Sequence, residues 1–97
     1  MVGMLCMSKA GHDKGKIYVI IEENGEYVYM SDGDLKPKDK MKKKSKKHIQ
    51  PIKKTVDASL QNRLQNKEAV RDEEIKRVIK LYRAKMIQEE NICQNPM

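Results

Sequence analysis

Between residues 9 and 21 the sequence runs KAGHDKGKIYVII, which places glycines, a lysine and a His-Asp pair within a few positions of one another. Gly11, Gly15 and Lys16 have the ingredients of a phosphate-binding loop, and His12-Asp13 those of an acid–base or metal-binding pair. A Walker loop needs four residues between its glycines, a Ser or Thr after the Lys, and a following helix whose N-terminus meets the phosphate. Here three residues separate Gly11 from Gly15, Ile17 follows Lys16, and the next residues are β-branched and read as a strand. Nucleotide hydrolysis is not expected. His12 has no convergent partners either, because His48, Cys6, Cys93 and the scattered carboxylates match no ligand spacing. His12 and Asp13 read as turn residues, and neither an enzyme, a metal nor another cofactor is expected.

A second chemistry lies in KPKDKMKKKSKKHIQPIKK, residues 36–54, with ten Lys, no Arg and one acid. Residues 1–35 carry net −3, residues 36–54 net +9 and residues 55–97 net +1, so the middle segment holds more than the whole formal +7 of the chain. Lysines are point charges suited to phosphate oxygens and lack the planar fork that reads guanine edges. The charge pattern points to a polyanion bound along its backbone with little sequence preference. An anionic lipid surface would want a lipidation motif or a basic amphipathic helix beside the run, and neither adjoins it. With 97 residues, 38% hydrophobic and four Tyr as the only aromatics, the chain has room for one small domain and an appendage. Cys6 and Cys93 form no disulfide framework, and the apolar start MVGMLCM is too short for a signal peptide or a membrane span. A soluble, cytoplasmic protein is expected, with no membrane or small-molecule partner.

These residues need elements to position them. GMLCMS (3–8), KIYVIIE (16–22) and EYVYM (26–30) read as strands, and HIQPI (48–52) as a short edge strand limited by Pro51. Asn24-Gly25 predicts a type I′ hairpin, which sets Glu22 opposite Tyr27 and Val19 opposite Met30. Ile17, Val19, Ile21, Val28 and Met30 then share one face, and Tyr18, Ile20, Tyr27 and Tyr29 the other. The tyrosine face could stack bases, but packing under another element, with the stripe Ile75–Met86 to cover it, is the expected reading. SDGDL (31–35) predicts a further turn. Val56, Leu60 and Leu64 predict a first helix at about 57–65, with Asp57 or Ser59 as N-cap. NKEAV interrupts it, and a second helix follows at about 72–91, with acids in its first turn and an apolar stripe of Ile75, Val78, Ile79, Tyr82 and Met86. Arg77, Lys80, Arg83 and Lys85 line its polar side, and Asn95-Pro96 ends it.

Over residues 3–54 the sequence resembles the KOW motif of RNA-binding proteins. It is similar to the archaeal and eukaryotic large-subunit ribosomal proteins built on that motif, and more closely to small bacterial KOW-domain proteins. Gly15 stands at the motif's marker glycine, with MLCMSKAGHDKGK before it, IYVIIE and YVYMSDGDL after it, and a Lys-rich run closing on KKHIQPI. The resemblance implies a mainly β fold with an α appendage: a small SH3-like barrel with the lysine-rich segment (1–54), then a C-terminal helical hairpin (55–97). It implies RNA contact, commonly with ribosomal RNA, through Lys9, His12, Lys14, Gly15 and Lys16 around the loop. It also implies contact through Lys36, Lys38, Lys40, Lys42, Lys43, Lys44, Lys46, Lys47, His48, Lys53 and Lys54. The expected function is non-enzymatic RNA binding at ribosomal RNA or the large subunit. The alternative is an adaptor that meets ribosomal or transcription proteins through the barrel and the last helix.

Overall fold

In the computed structural model, which describes residues 1–54 and 56–94, with side chains as far as Met86, five strands precede two helices. Strands β1 (Leu5–Ser8), β2 (Ile17–Asn24), β3 (Tyr27–Ser31), β4 (Lys42–Ser45) and β5 (Ile49–Ile52) form one antiparallel sheet in the order β4-β3-β2-β1-β5. β4 and β5 are its two edges, linked by a 3-10 turn at Lys46–His48, and no ladder joins them among the described residues. The helices are α1 (Ala58–Gln65) and α2 (Asp72–Gln94). No described helix is long and apolar enough to cross a membrane. All four expected strands form, with Pro51 in edge strand β5 opposite Cys6. β4 is additional: its KKKS was expected only as part of a basic segment.

The β2–β3 hairpin differs from the expected register, and the difference decides which residues face the core. The ladder closes with Asn24 opposite Tyr27, so the loop is Gly25-Glu26 rather than Asn24-Gly25. Gly25 has φ +61, and Asn24 and Glu26 keep negative φ. A glycine at the first central position is the requirement of a type II′ turn, not the type I′ turn expected. Further along, the ladder steps from Glu22–Tyr29 to Ile20–Met30, leaving Ile21 as a bulge. One extra residue in β2 reverses the faces that β3 presents to its first half. Val28 and Met30 therefore join Tyr18 and Ile20, while Tyr27 and Tyr29 pass to the opposite side.

Two clusters result, one on each face of β2, whose residues Ile17 to Ile20 are buried at four successive positions. On one face Cys6, Tyr18, Ile20, Val28, Met30 and Ile49 pack together. The Cys6 thiol there lies 3.3 Å from Met30 Sδ, and burial pushes its pKa up to about 12. On the other face Leu5, Ile17 and Val19 meet Leu60 and Leu64 of α1, Val70, and Ile75, Val78 and Ile79 of α2. The apolar stripe of α2 is thus intramolecular core over its first turns, with Tyr82 partly buried against the same cluster and Met86 exposed. The Asn95-Pro96 stop lies outside the described residues.

Local chemistry sets the helix ends as the sequence predicts. Asp57 accepts from Leu60 N–H at 3.0 Å as the N-cap of α1, and Asp72, Glu73 and Glu74 occupy the first turn of α2. In the SDGDL turn, Asp32 Oδ1 accepts from the N–H groups of Asp34 and Lys36, and Ser31 Oγ donates to Lys36 C=O. That turn abuts α2. Gly33, at φ +73, lies so close that a Cβ there would overlap Asp72 C=O and stand 2.8 Å from Lys76 N. Asp72 Oδ1 in turn accepts from Lys38 N–H at 2.8 Å.

The packing makes two forecasts for urea unfolding. Ile75→Ala removes a fully buried side chain between sheet and helix and should cost about 2–5 kcal/mol. Gly33→Ala should destabilise clearly more than Gly25→Ala, whose added Cβ meets only open space and carries only the left-handed backbone cost of about 1–2 kcal/mol.

Candidate nucleic-acid interface

The β1–β2 loop, residues 9–16, is the part of the structure in which the sequence motif and the lysine run meet. It opens with Lys9 N–H donating to His48 C=O at 2.8 Å and closes with Gly15 N–H donating to Ser8 C=O at 2.8 Å. Gly11 and Gly15 both take positive φ, +86 and +89, a conformation other residues reach only at a cost. Gly15 has open space around its Cα, so backbone geometry alone calls for glycine there. Inside the loop, Lys14 N–H donates to Gly11 C=O and Lys16 N–H to Asp13 C=O, a double turn that directs Asp13 inward.

Asp13 is buried, 8% exposed, and each carboxylate oxygen has two partners. Oδ1 lies 3.0 Å from Ser8 Oγ and 2.8 Å from Lys44 Nζ, and Oδ2 lies 3.2 Å from Tyr18 OH and 2.9 Å from Lys42 Nζ. Lys44 Nζ also donates to Ser8 Oγ at 2.8 Å and Ala10 C=O at 2.6 Å, so its three protons match three acceptors. Burial by itself would raise the Asp13 pKa. Hydrogen bonds from Lys44, Lys42 and Ser8, with the charge of Lys42, outweigh it and hold the carboxyl well below the usual range. The Tyr18 pKa is raised, by burial first and then by the Asp13 charge and hydrogen bond, so the phenol stays protonated as a donor. His12 is exposed and is not among the partners of Asp13.

β4 divides its lysines by the strand period of two. Lys42 and Lys44, opposite Met30 and Val28, point to the inner cluster's face and reach Asp13. Lys43, opposite Tyr29, points outward and sets its Nζ 4.4 Å from the centre of the Tyr27 ring. Other lysines of the expected site also have partners within the fold. Lys46 pairs with Glu23, whose carboxyl is held below its usual range by Lys46 and by the Met1 amino group. Lys38 Nζ donates to Val70 C=O, and Lys16 Nζ lies 3.7 Å from Asp32. Lys9, Lys14, Lys36, Lys40, Lys47 and Lys53 are exposed and outside these pairs, as are His12 and His48, and Lys54 is exposed.

The exposed groups are not scattered evenly. The Lys46–His48 turn runs from the hairpin tip, where Lys46 N–H donates to Glu26 C=O at 2.9 Å, to the 9–16 loop, where His48 C=O accepts from Lys9. Lys47, His48 and Lys9 therefore border one ridge that continues into His12 and Lys14. Lys36 closes the 31–36 turn that abuts α2, Lys40 ends the short 3-10 turn in which Lys38 bonds Asp72, and Lys53 follows β5 near α1. Asp13 was the residue sequence reasoning missed: it read as a turn residue, although it is the one acid among Lys9, Lys14 and Lys16. The chain matches no protein-family model and no curated protein.

Breaking the Asp13 cluster should be expensive. Asp13→Asn leaves Lys44, 10% exposed, beside Lys42 without a counter-charge and should cost about 3–5 kcal/mol in urea unfolding at pH 7. A carboxyl with a depressed folded pKa contributes stability above its unfolded value, near 3.8, and loses it as pH falls through the folded value. The wild-type chain should lose this contribution progressively below about pH 4, and the Asp13→Asn variant should lack that component of its acid denaturation.

Proposed function

We propose that this chain is a non-enzymatic RNA-binding protein, built as an SH3-like barrel of the KOW kind and associated with ribosomal RNA or the large ribosomal subunit. The observation that carries the reading is the exposed ridge of Lys9, His12, Lys14, Lys47 and His48, formed where the glycine-bearing loop meets the 3-10 turn after β4. Exposed ammonium groups suit phosphates presented along a backbone. The strand order, with a 3-10 turn linking its two edge strands, is consistent with SH3-like wiring, and Gly15 takes the positive φ expected of a motif glycine. The adaptor alternative uses the barrel and the last helix, and three of the five residues of the α2 stripe, Ile75, Val78 and Ile79, are buried against the sheet.

The partition of lysines tells which substitutions test RNA contact and which test folding. Lys42 and Lys44 belong to the Asp13 cluster, so replacing them would confuse the two. The triple variant Lys9→Gln, Lys14→Gln, Lys47→Gln removes ridge charges only. It should weaken binding across many RNA sequences and melt like the wild type. The slope of log affinity against log salt should fall by about 2 to 3, at roughly 0.7–0.9 for each phosphate that is no longer neutralised. Unchanged RNA affinity in this variant would overturn the ridge as the site. Co-sedimentation of the chain with large subunits in low salt, abolished in high salt, is the expected result for the ribosomal part of the reading.

A further inference from the structure

We infer that the outward face of β3 and β4 is a stacking platform that makes the RNA ligand single-stranded, with one base on Tyr27 and the next on Tyr29. The inference rests on the RNA-binding reading and names the substrate class for that same site.

The bulge at Ile21 is what creates the platform. By reversing the faces of β3 relative to the start of β2, it sends Val28 and Met30 to the inner cluster and leaves Tyr27 and Tyr29 on the opposite side. On that side the helices pack on Leu5, Ile17 and Val19, with Ile21 and Ile52 against the same cluster, and neither Tyr27 nor Tyr29 belongs to it. Tyr27 is 44% exposed, although an aromatic ring of that size is usually found largely buried. Tyr29, two residues away, is half-buried on the same face. Aromatic rings at i and i+2 of an open sheet face give neighbouring surfaces for successive bases.

The groups around the two rings fit a nucleotide better than an apolar partner. Directly opposite residues in a ladder share a face, so Glu22, Tyr29 and Lys43 form one row, and Asn24, Tyr27 and Ser45 the next. Each ring thus has β4 on one side, bearing Lys43, and β2 on the other, bearing Glu22 and Asn24. Phosphates are attracted toward Lys43 and repelled from Glu22, which points base edges toward a carboxylate and an amide able to hydrogen-bond them. Lys43 Nζ lies over one face of the Tyr27 ring, so a base stacked on that face takes the place of the ammonium, which then turns to the phosphate. The platform is also continuous with the basic ridge: Ser45, opposite Tyr27, caps the turn by accepting from Lys47 N–H, and that turn leads to Lys9. A strand stacked on the tyrosines can therefore continue along Lys47, Lys9 and Lys14. Bases in a duplex are stacked on one another and offer no face to these rings.

The test is anisotropy titration of the full chain with a fluorescent 12-nucleotide RNA of mixed sequence, alone and annealed to its complement. The single strand should bind more tightly than the duplex despite carrying half the charge. Tyr27→Leu should weaken single-strand binding about 5- to 100-fold, with an unchanged salt slope and unchanged duplex binding, and Tyr27→Phe should restore it. The chain contains no Trp, so quenching of tyrosine emission by unlabelled RNA, reduced in Tyr27→Leu, gives a second readout. Equal or tighter duplex binding, or a well-folded Tyr27→Leu with wild-type single-strand affinity, would overturn the platform while leaving RNA binding on the ridge intact. In that case the face is open to a protein partner instead. Failure of the wild type to bind either RNA at low salt would overturn both readings.

Discussion

The buried carboxylate of Asp13 is the constraint on which the rest of the arrangement depends. A charge removed from water is tolerated only when opposite charge and hydrogen bonds replace its hydration. Asp13 obtains these from Ser8 at the end of β1, Tyr18 in β2, and Lys42 and Lys44 in β4. One side chain of a loop thereby ties together strands at the start, centre and edge of the sheet. It also explains how KKKS, with poor intrinsic strand preference, pairs as an edge strand along β3. The inward positions of β4 would otherwise set two ammonium groups against the face of Val28 and Met30. The same ties shape the loop, since Lys44 Nζ holds the Ala10 carbonyl and Gly11 would carry a Cβ 3.4 Å from Asp13 Oδ1.

The hairpin shows how a change of one residue in register acts at long range. Moving the turn from Asn24-Gly25 to Gly25-Glu26 shifts each pair near the turn by two residues, which keeps the faces, and the bulge at Ile21 then reverses the parity of everything beyond it. Because β2 is covered on both faces, its side chains are buried whichever way β3 is read. Only β3 distinguishes the two registers: Val28 and Met30 are aliphatic and suit an interior, whereas Tyr27 and Tyr29 keep hydroxyls near water. The bulge satisfies that preference. Ile21, the displaced residue, still packs against the helix-side cluster.

Much of this was legible because it is written in local chemistry. The β-branched run 17–21, the Asp57 cap, the acids opening α2 and the spacing of Ile75, Val78 and Ile79 each follow from the physics of a few neighbouring residues. β4 was hidden because its period-two pattern has lysine on both faces, and charge identity alone cannot tell a paired lysine from a solvated one. The signal was distant in sequence: an acid in a basic loop, about thirty residues before the lysines that neutralise it. The turn position was hidden for a related reason. Asn-Gly is a strong local preference, but the bulge and the burial of Val28 and Met30 are tertiary effects that override it.

The division of lysines also changes what an RNA-binding reading requires physically. Taken as a solvated run, residues 36–54 would supply phosphate contacts along their whole length, and electrostatics alone would account for affinity. In the fold, Lys42 and Lys44 neutralise Asp13, Lys46 pairs with Glu23 and Lys38 holds a backbone carbonyl. Drawing these lysines toward phosphate would uncover the groups they satisfy, which for Asp13 means stranding a buried charge. Counterion release is therefore limited to the lysines outside such pairs, and those on the ridge are few. A site with few phosphate contacts needs a further, non-ionic source of affinity. The exposed Tyr27, held beneath Lys43 at the end of that ridge, is the group positioned to supply it.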